Sequence, residues 1–194
     1  TARKEEDNPA MAYVHNLGSV SNSGKEGFMM LGYDDIYSIE YMYEKRMGYW
    51  KHDGKVTIFD AFEKLRDNYQ AIMERCRAFD ELIYDDAEKA GGKKYAEICS
   101  ASYRQVISAH KLFTDKEGNL LWFSKENNSN GCVNTVDLTY PSAPLFLVYN
   151  PELQKAMMTS IFEYSASGRW NKPFPAHDLG TYPIANGQVY GGDM

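Results

Sequence analysis

Two carboxylates and the polar loop between them are the first candidates for chemistry in this sequence. Glu126 and Asp137 bracket a stretch with four asparagines, NNSNGCVNTV, which stands directly before one of the most apolar segments of the chain. Loops on a rigid scaffold commonly carry function, and paired carboxylates can act as general acid and general base. The pattern predicts a site at the lip of a pocket. A solvated connector, with Asp137 as a turn or capping residue, is the alternative.

The C-terminal segment supplies a second set of candidates. His177 and Asp178 are adjacent in PAHDLGTYP. Adjacent side chains of an extended chain point in opposite directions, so we expect at most one of the two to face a site and do not expect them to form a dyad. Trp170 and Tyr182 are candidates for the floor of a pocket, although packing in a core is the more common role of such side chains.

Composition excludes two classes of partner. The chain has 194 residues and a formal net charge of −6, and its lysines and arginines never occur in runs longer than two. A phosphate-binding surface is therefore not expected, and we predict no nucleic-acid partner. No apolar run approaches the roughly 18 residues that a membrane-spanning helix requires, so we predict no membrane span. The 15 tyrosines are compatible with binding of sugars or other polar ligands, and equally with cover for a half-buried surface.

Neither the spacing of the cysteines nor any common catalytic motif indicates a metal or a cofactor. Cys76, Cys99 and Cys132 are far apart and form no CxxC pair, which argues against a zinc site and a disulfide framework. Cys76 and Cys99 are expected in a helical core, and Cys132 lies in the polar loop without a histidine nearby in sequence to activate it. No phosphate-binding glycine loop, HExxH or GxSxG motif is present.

The first half of the chain predicts short strands followed by two helices. Residues 11–43 contain aromatic and β-branched runs separated by Gly, Asn, Ser and Asp, a pattern typical of strands. An apolar stripe with spacings of three and four predicts one helix of about thirty residues from Thr57 to the glycine pair at 91–92. A second helix is expected over residues 94–110, with Tyr95, Ile98 and Cys99 directed inward, and the two form a helical hairpin.

The second half predicts a hairpin, a third helix and an irregular tail. The segment 111–126 indicates a β-hairpin with its turn at Asp115–Gly118. Asn150 as N-cap, a proline in the first turn and Gly168 after the last turn predict a helix over residues 150–168. Residues 169–194 are rich in Pro, Gly and aromatic residues and are expected to be irregular.

The longest motif of the chain resembles the glutaminase A family. The resemblance is carried by KENNSNGCVNTVDLTYPSAPLFLVYNPEL, then FEY and HDLGTYP, with HNLGSV and AFDELIYDDAEKAGGKKYAEICSASYRQ further upstream. It implies a mainly α fold with an N-terminal β portion (α+β), part of an (α/α)6 six-hairpin toroid-like domain. Residues 1–50 would be the end of an N-terminal β domain or a linker from it, and residues 51–194 the first half of the helical domain.

The resemblance also implies a reaction and a context. It implies hydrolysis of L-glutamine to L-glutamate and ammonia by the full-length protein, without a cofactor, in a secreted, periplasmic or cell-envelope location. The expected partners are a small-molecule substrate, glutamine or a glycan, and the remaining domains of the same polypeptide. An acidic motif of the family falls after Met194, so the isolated chain is expected to be inactive. We predict catalytic roles for Glu126, Asp137 and Asp178, and substrate-binding roles for His177, Asn134, Tyr182 and Trp170.

Two other functions remain open at this point. A carbohydrate-active enzyme on the same toroid would use two carboxylates on opposite sides of a glycosidic bond, and the abundance of Tyr and Trp fits sugar stacking. A non-catalytic binding module is the third possibility. Release of ammonia from glutamine, as opposed to cleavage of p-nitrophenyl glycosides, discriminates between the first two.

Overall fold

The computed structural model describes residues 12–126 and 128–189 of the chain. The chain divides into two compact units between Gly32 and Tyr33. Five α-helices and two small sheets make up the second unit, which confirms the predicted α+β class with helices dominating. Among the described residues, no helix has both the length and the apolar character needed to cross a bilayer.

The described part of the first unit, residues 12–32, contains neither helix nor strand. It is organised by local hydrogen bonds: Asn16 Oδ1 accepts from the Gly18 N–H at 2.8 Å, and Lys25 Nζ donates to the Leu17 carbonyl at 2.8 Å. The prediction of strands is therefore wrong for this segment, and Met11 lies outside the described residues. Short aromatic runs fit a strand only when a partner strand satisfies their backbone groups, and the described residues show no strand paired with this segment.

Two consecutive helices, α1 (Ile58–Asp67) and α2 (Tyr69–Gly91), occupy the region predicted as one. The predicted start is confirmed: Thr57 Oγ1 accepts from the Asp60 N–H at 3.2 Å, and the Asp60 carboxylate accepts from the Thr57 N–H at 2.8 Å, forming a capping box. The helix is interrupted only at Asn68. A single asparagine does not disturb the apolar stripe, so the sequence pattern does not reveal the break.

The third helix, α3 (Lys93–Ser108), packs against α2 as the predicted helical hairpin. The inward face is partly mispredicted, because Tyr95 and Ile98 are 49% and 63% exposed. Cys76 on α2 is also exposed, and Cys99 is half-buried. Within the described residues, the stripe that these side chains belong to is thus only partly buried.

The β-hairpin is confirmed. Strands β3 (His110–Thr114) and β4 (Leu120–Ser124) pair antiparallel, and the Asp115 carboxylate accepts from the Asn119 N–H at 2.8 Å across the turn. Gly118 takes a φ of +87°, a conformation that glycine adopts without strain.

Alternate side chains of the hairpin enter two apolar cores. One face packs against the first strand of the chain and the C-terminal tail, and its buried aromatic rings meet edge to face. The other face packs against the last two helices. The first core contains Phe113, Leu121 and Phe123, and the second contains Trp122, Phe146 and Met157.

Helix α4 (Val136–Tyr149) is an element that the sequence analysis does not predict. It contains Pro141 and Pro144, and proline inside a helix removes a hydrogen bond and ordinarily breaks it. Its apolar residues also lack a helical period, because the segment is apolar almost throughout. Asp137 lies in its first turn, where the helix dipole favours a negative charge.

Helix α5 (Pro151–Ala166) confirms the third predicted helix. The Asn150 side chain accepts from the Leu153 N–H at 3.3 Å, and proline occupies the first turn. The chain leaves the helix at Ser167, and Gly168 follows with a φ of +76°.

The second sheet joins the region before the helices to the tail. Strands β1 (Ile39–Tyr41) and β2 (Glu44–Arg46) pair antiparallel, and β5 (Ile184–Ala185) pairs parallel with β1. In the described part of the N-terminal region, from residue 12 onward, the β portion consists of these two three-residue strands. Residues 169–189 of the tail are irregular as predicted, apart from β5, which pairs with β1; residues 190–194 lie outside the described part of the chain.

Candidate active site

The polar loop and the tail are paired through their backbones. The Val133 N–H donates to the Gly180 carbonyl at 2.8 Å, and the Leu179 N–H donates to the Val133 carbonyl at 3.0 Å. Beyond them, the Val136 N–H donates to the His177 carbonyl at 2.8 Å. Because Val136 is the first residue of α4, this pairing holds the first turn of the helix beside His177.

A turn at Gly180 shapes the tail around a buried carboxylate. A Cβ at Gly180 would lie 2.3 Å from the Ile184 carbonyl oxygen, and the residue has a φ of +132°, so only glycine fits. The turn brings two backbone N–H groups to Asp178 Oδ1, from Gly180 at 2.9 Å and from Val189 at 3.4 Å. The Asp178 side chain has no exposed surface.

His177 and Asp178 form the dyad that the sequence analysis does not expect. Their contact joins His177 Nδ1 to Asp178 Oδ2 at 2.9 Å. The expectation that they point in opposite directions is wrong because the chain is not extended here: the Asp178 carboxylate turns back toward the Gly180 N–H, and the imidazole follows it. The carboxylate keeps a proton on Nδ1 and leaves Nε2 directed outward.

Asp137 lies on the other side of the imidazole. Its Oδ1 is 3.6 Å from His177 Nε2, and the two side chains are 69% and 46% exposed respectively. The pKa of His177 is raised above its ordinary value, first by the hydrogen bond to Asp178 and then by the negative charge of Asp137, while partial burial opposes the shift. The imidazolium form is therefore favoured between two carboxylates, one buried and one open to solvent.

The array opens on a concavity of about 650 Å³, which we call the His177 concavity. It brings together residues from α4 and from the tail, and it has one basic side chain and several aromatic ones. Its walls include Asp137, Tyr140, Trp170, Lys172, Phe174 and His177. A donor–acceptor array beside apolar walls is the usual composition of a small-molecule site.

Glu126 faces a different concavity. Its carboxylate accepts from Thr135 Oγ1 at 3.0 Å and from the Ser129 hydroxyl, and it lines a space of about 540 Å³ beside Leu138, which we call the Glu126 concavity. The first turn of α4 separates the two spaces, with Asp137 on one side and Leu138 on the other. The two acids that bracket the loop thus line neighbouring pockets, and the catalytic role of Glu126 stays a prediction.

The other predicted binding residues are not gathered at one place. Asn134 is fully buried, with a φ of +52°, and its amide donates to the Met157 carbonyl at 3.0 Å and to Ser160 Oγ at 2.8 Å, which ties the loop to α5. Tyr182 packs against the first core, and its hydroxyl accepts from Lys111 Nζ at 2.6 Å.

Trp170, unlike Asn134 and Tyr182, lines the His177 concavity together with His177 itself. Its indole N–H donates to the Phe174 carbonyl, and its ring lies 6.0 Å from the Phe174 ring, centroid to centroid. The binding roles of Asn134, Tyr182 and Trp170 stay predictions, but Trp170 has the position that such a role requires.

Cys132 lies in the interior next to this site. It has no exposed surface, and burial, followed by the negative charge of Asp178 and Glu126, raises the pKa of its thiol to about 11. A thiol in this setting stays protonated at neutral pH and is not an activated nucleophile.

Sequence reasoning does not single out Tyr140, Lys172 or Phe174, which line the His177 concavity. Tyr140 follows Asp137 by three positions, which places the two on one side of a helix, but α4 itself is not predicted. Lys172 stands in an irregular segment without any local pattern. Across residues 12–126 and 128–189, no three His, Cys, Asp or Glu side chains are arranged to hold a metal ion.

Comparison with known proteins places the chain in a family. The family model described as the glutaminase A six helical-hairpin domain matches residues 92–194, and a domain of unknown function (DUF5127) matches residues 1–86. The two matches meet near the end of α2. The boundary after residue 50 that the resemblance implies stays a prediction. No solved structure matches the chain.

Two curated fungal proteins are similar to the chain. Glutaminase A of Aspergillus oryzae is 34% identical over 191 residues, which is 95% of this chain and 27% of the relative. A protein named as a probable glutaminase of Arthroderma benhamiae is 34% identical over 109 residues, which is 56% of this chain and 12% of the relative. The chain thus spans about a quarter of the length of the first relative, and its match covers about an eighth of the second. On these matches, the chain belongs to the glutaminase A six helical-hairpin domain family.

Proposed function

We propose that this chain supplies acid–base groups to a glutaminase-like amidohydrolase in the full-length protein. The observation that carries the proposal is the array Asp178–His177–Asp137 at the mouth of the His177 concavity. The names of the relatives support the reaction, since both are called glutaminases. Location outside the cell or in its envelope, and contact with further domains of the same polypeptide, are proposals that rest on the family resemblance alone.

The array can supply both proton transfers of amide hydrolysis. The Asp137 carboxylate takes a proton from water as the water oxygen bonds to the carboxamide carbon of glutamine. His177 Nε2 then donates its proton to the departing nitrogen as the carbon–nitrogen bond breaks, giving glutamate and ammonia. The proton on Asp137 passes to Nε2 across the gap that measures 3.6 Å in the free protein, which restores both groups. Asp178 is a positioning residue that keeps the other ring nitrogen protonated.

The same concavity has features that suit an amino-acid substrate. The Lys172 side chain lines it and provides a positive charge for the α-carboxylate of glutamine. The methylene groups of the substrate can lie against Trp170 and Phe174. In this proposal Lys172 contributes to binding in the ground state and in the transition state alike, so its replacement by Met should raise KM with little change in kcat.

The direct experiment measures ammonia released from L-glutamine by the full-length protein. Asp137→Asn is expected to lower kcat by about 10²- to 10⁴-fold, the usual contribution of a general base. The matched control is Glu152→Gln, which removes a carboxylate from the first turn of α5 as Asp137→Asn does from α4; Glu152 contacts Lys155 on the surface. Activity retained in Asp137→Asn, or lost equally in Glu152→Gln, would contradict the assignment.

A carbohydrate-active enzyme is the second candidate, and the aromatic wall favours it. Tyr140 is 83% exposed and Phe174 is 58% exposed, and both line the His177 concavity with Trp170, as stacking platforms for a sugar ring would. Cleavage of p-nitrophenyl glycosides without ammonia release from glutamine would select this function. Binding of either ligand without turnover would select a binding module.

A further inference from the structure

The Glu126 concavity has a polar floor that the proposed hydrolysis does not use. His110 and Ser124 both line it, and they are direct partners in the β3–β4 ladder. Side chains directly opposite each other in an antiparallel pair stand on the same face, with their Cβ atoms about 4.5–5.5 Å apart. Two polar side chains are therefore presented side by side at the closed end of this space.

On this side, neither side chain has a hydrogen-bond partner among residues 12–126 and 128–189. Ser124 is 3% exposed, and its hydroxyl has no hydrogen-bond partner among the described residues. His110 Nε2 is likewise buried without a partner in the described part of the chain. Buried polar atoms in native proteins nearly always have partners, so two adjacent exceptions at the floor of one concavity point to a ligand that is not part of the protein.

The hydrogen bonding of His110 fixes what that ligand must offer. Its Nδ1 lies 2.6 Å from the Val106 carbonyl oxygen, which can only accept, so the ring proton is on Nδ1 and Nε2 is an acceptor. The ring stacks on Trp122 with centroids 4.9 Å apart, and burial lowers the pKa of His110, which keeps the imidazole neutral. A ligand must therefore donate a hydrogen bond to Nε2.

The mouth of the concavity adds a negative charge. Glu126 follows Ser124 by two positions, which puts both on one side of the extended chain, and it lines the same space. Lys125 also lines it, but its ammonium lies over the Tyr182 ring, 4.6 Å from the centroid. The apolar part of its walls includes Val106, Leu138 and Pro141.

We propose that the Glu126 concavity binds the primary ammonium group of a small amine whose apolar body rests on these walls. Three acceptors, His110 Nε2, Ser124 Oγ and a Glu126 carboxylate oxygen, match the three N–H donors of the ammonium. The same set repels a carboxylate or a phosphate, because His110 and Glu126 offer no proton. The site is distinct from the His177 concavity and does not depend on the hydrolysis proposed for it.

Isothermal titration of the full-length protein with n-butylammonium at pH 7.5 tests the site, with n-butanol and butyrate as comparison probes. Saturable binding of butylammonium is expected, with weaker binding of butanol and none of butyrate. Ser124→Ala and Glu126→Gln should each weaken butylammonium binding about 10- to 100-fold, as loss of one hydrogen bond to a charged group does. Glu152→Gln removes a distant surface carboxylate and should leave the affinity unchanged.

Three outcomes would overturn the proposal: no saturable binding of butylammonium, equal affinity for butanol and butylammonium, or unchanged affinity in both Ser124→Ala and Glu126→Gln. Glu126 is half-buried at the mouth, so its variant remains informative even where Ser124→Ala perturbs folding. Loss of ammonia release in Asp137→Asn with intact amine binding would separate this site from the proposed active site.

Discussion

His177 and His110 line neighbouring concavities on the two sides of the first turn of α4, and their surroundings are opposite. His177 is partly exposed between two carboxylates, and its pKa is raised. His110 stacks on Trp122, its Nε2 has no hydrogen-bond partner in the described ranges, and its pKa is lowered. The same side chain is thus prepared as a proton donor in one pocket and as a neutral acceptor in the other.

The difference comes from what each neighbouring strand or loop contributes. The tail brings a carboxylate to His177 because the turn at Gly180 folds Asp178 toward the ring. The β3–β4 ladder brings Ser124 to His110, and a hydroxyl next to a buried imidazole supplies no charge. The hydrogen bond to Asp178 outweighs partial burial at His177, whereas burial outweighs the hydrogen bond to the Val106 carbonyl at His110.

The largest expected effect is on catalysis. His177→Gln removes the general acid of the proposed array, the group that protonates the departing nitrogen. The kcat for ammonia release by the full-length protein should therefore fall by about 10²- to 10⁴-fold. Glutamine retains hydrogen-bonding capacity at similar length, which limits structural damage. Activity within about twofold of the wild type would exclude His177 from the mechanism and contradict its role as the proton donor.

A smaller effect is expected when His177 is made electrostatically similar to His110. Asp178→Asn removes the carboxylate whose hydrogen bond does most to raise the pKa of His177, so the imidazolium is lost at a lower pH. The alkaline limb of the profile of kcat against pH should therefore move to lower pH. Each unit of pKa lost reduces the protonated fraction about tenfold on that limb. An unshifted limb would show that another group controls it.

The two pKa values themselves can be compared directly. Titration of the imidazole resonances by NMR should place the pKa of His177 above, and that of His110 below, the ordinary value of about 6.5. Added salt should lower the pKa of His177, because its contact with exposed Asp137 is screened, and should affect His110 less. Shifts in the same direction for both would contradict the assigned environments.

The smallest effect concerns stability against pH. His110 has a lowered pKa in the folded state, so its contribution is present above its unfolded value and is lost as the pH falls through the folded value. His177 has a raised pKa, so its contribution is present below its unfolded value and is lost as the pH rises through the folded value. The free energy of unfolding in urea should be measured from pH 5 to 8. His110→Phe should make it depend less on pH at the acid end of this range, and His177→Gln should do the same at the alkaline end.

Features with local causes are predictable from this sequence. The hairpin turn at Asp115–Gly118 and the start of α5 at Asn150 depend on residues within a few positions of each other, and both are confirmed. The capping box at Thr57 is of the same kind. Even so, the exposed face of α3 shows that an apolar stripe does not say which element, if any, covers it.

Features that depend on distant contacts are not predictable. Helix α4 forms despite Pro141 and Pro144 because it packs on the hairpin and on α5, and no local rule contains that packing. The meeting of Asp137 with His177 follows from backbone pairing between segments forty positions apart in the chain. The family resemblance supplies the fold class, but it does not separate the Glu126 side of α4 from the Asp137 side.

The ladder between β1 and β5 has a consequence for the order of assembly. It pairs Glu40 with Ile184, so this contact has a very high sequence separation. Contacts of this kind form late, because the entropy cost of closing the long intervening loop precedes any stabilisation by the contact. During synthesis, the edge of β1 must wait until residues 184–185 have left the ribosome, and the tail with His177 and Asp178 is expected to be the last part of the site to settle.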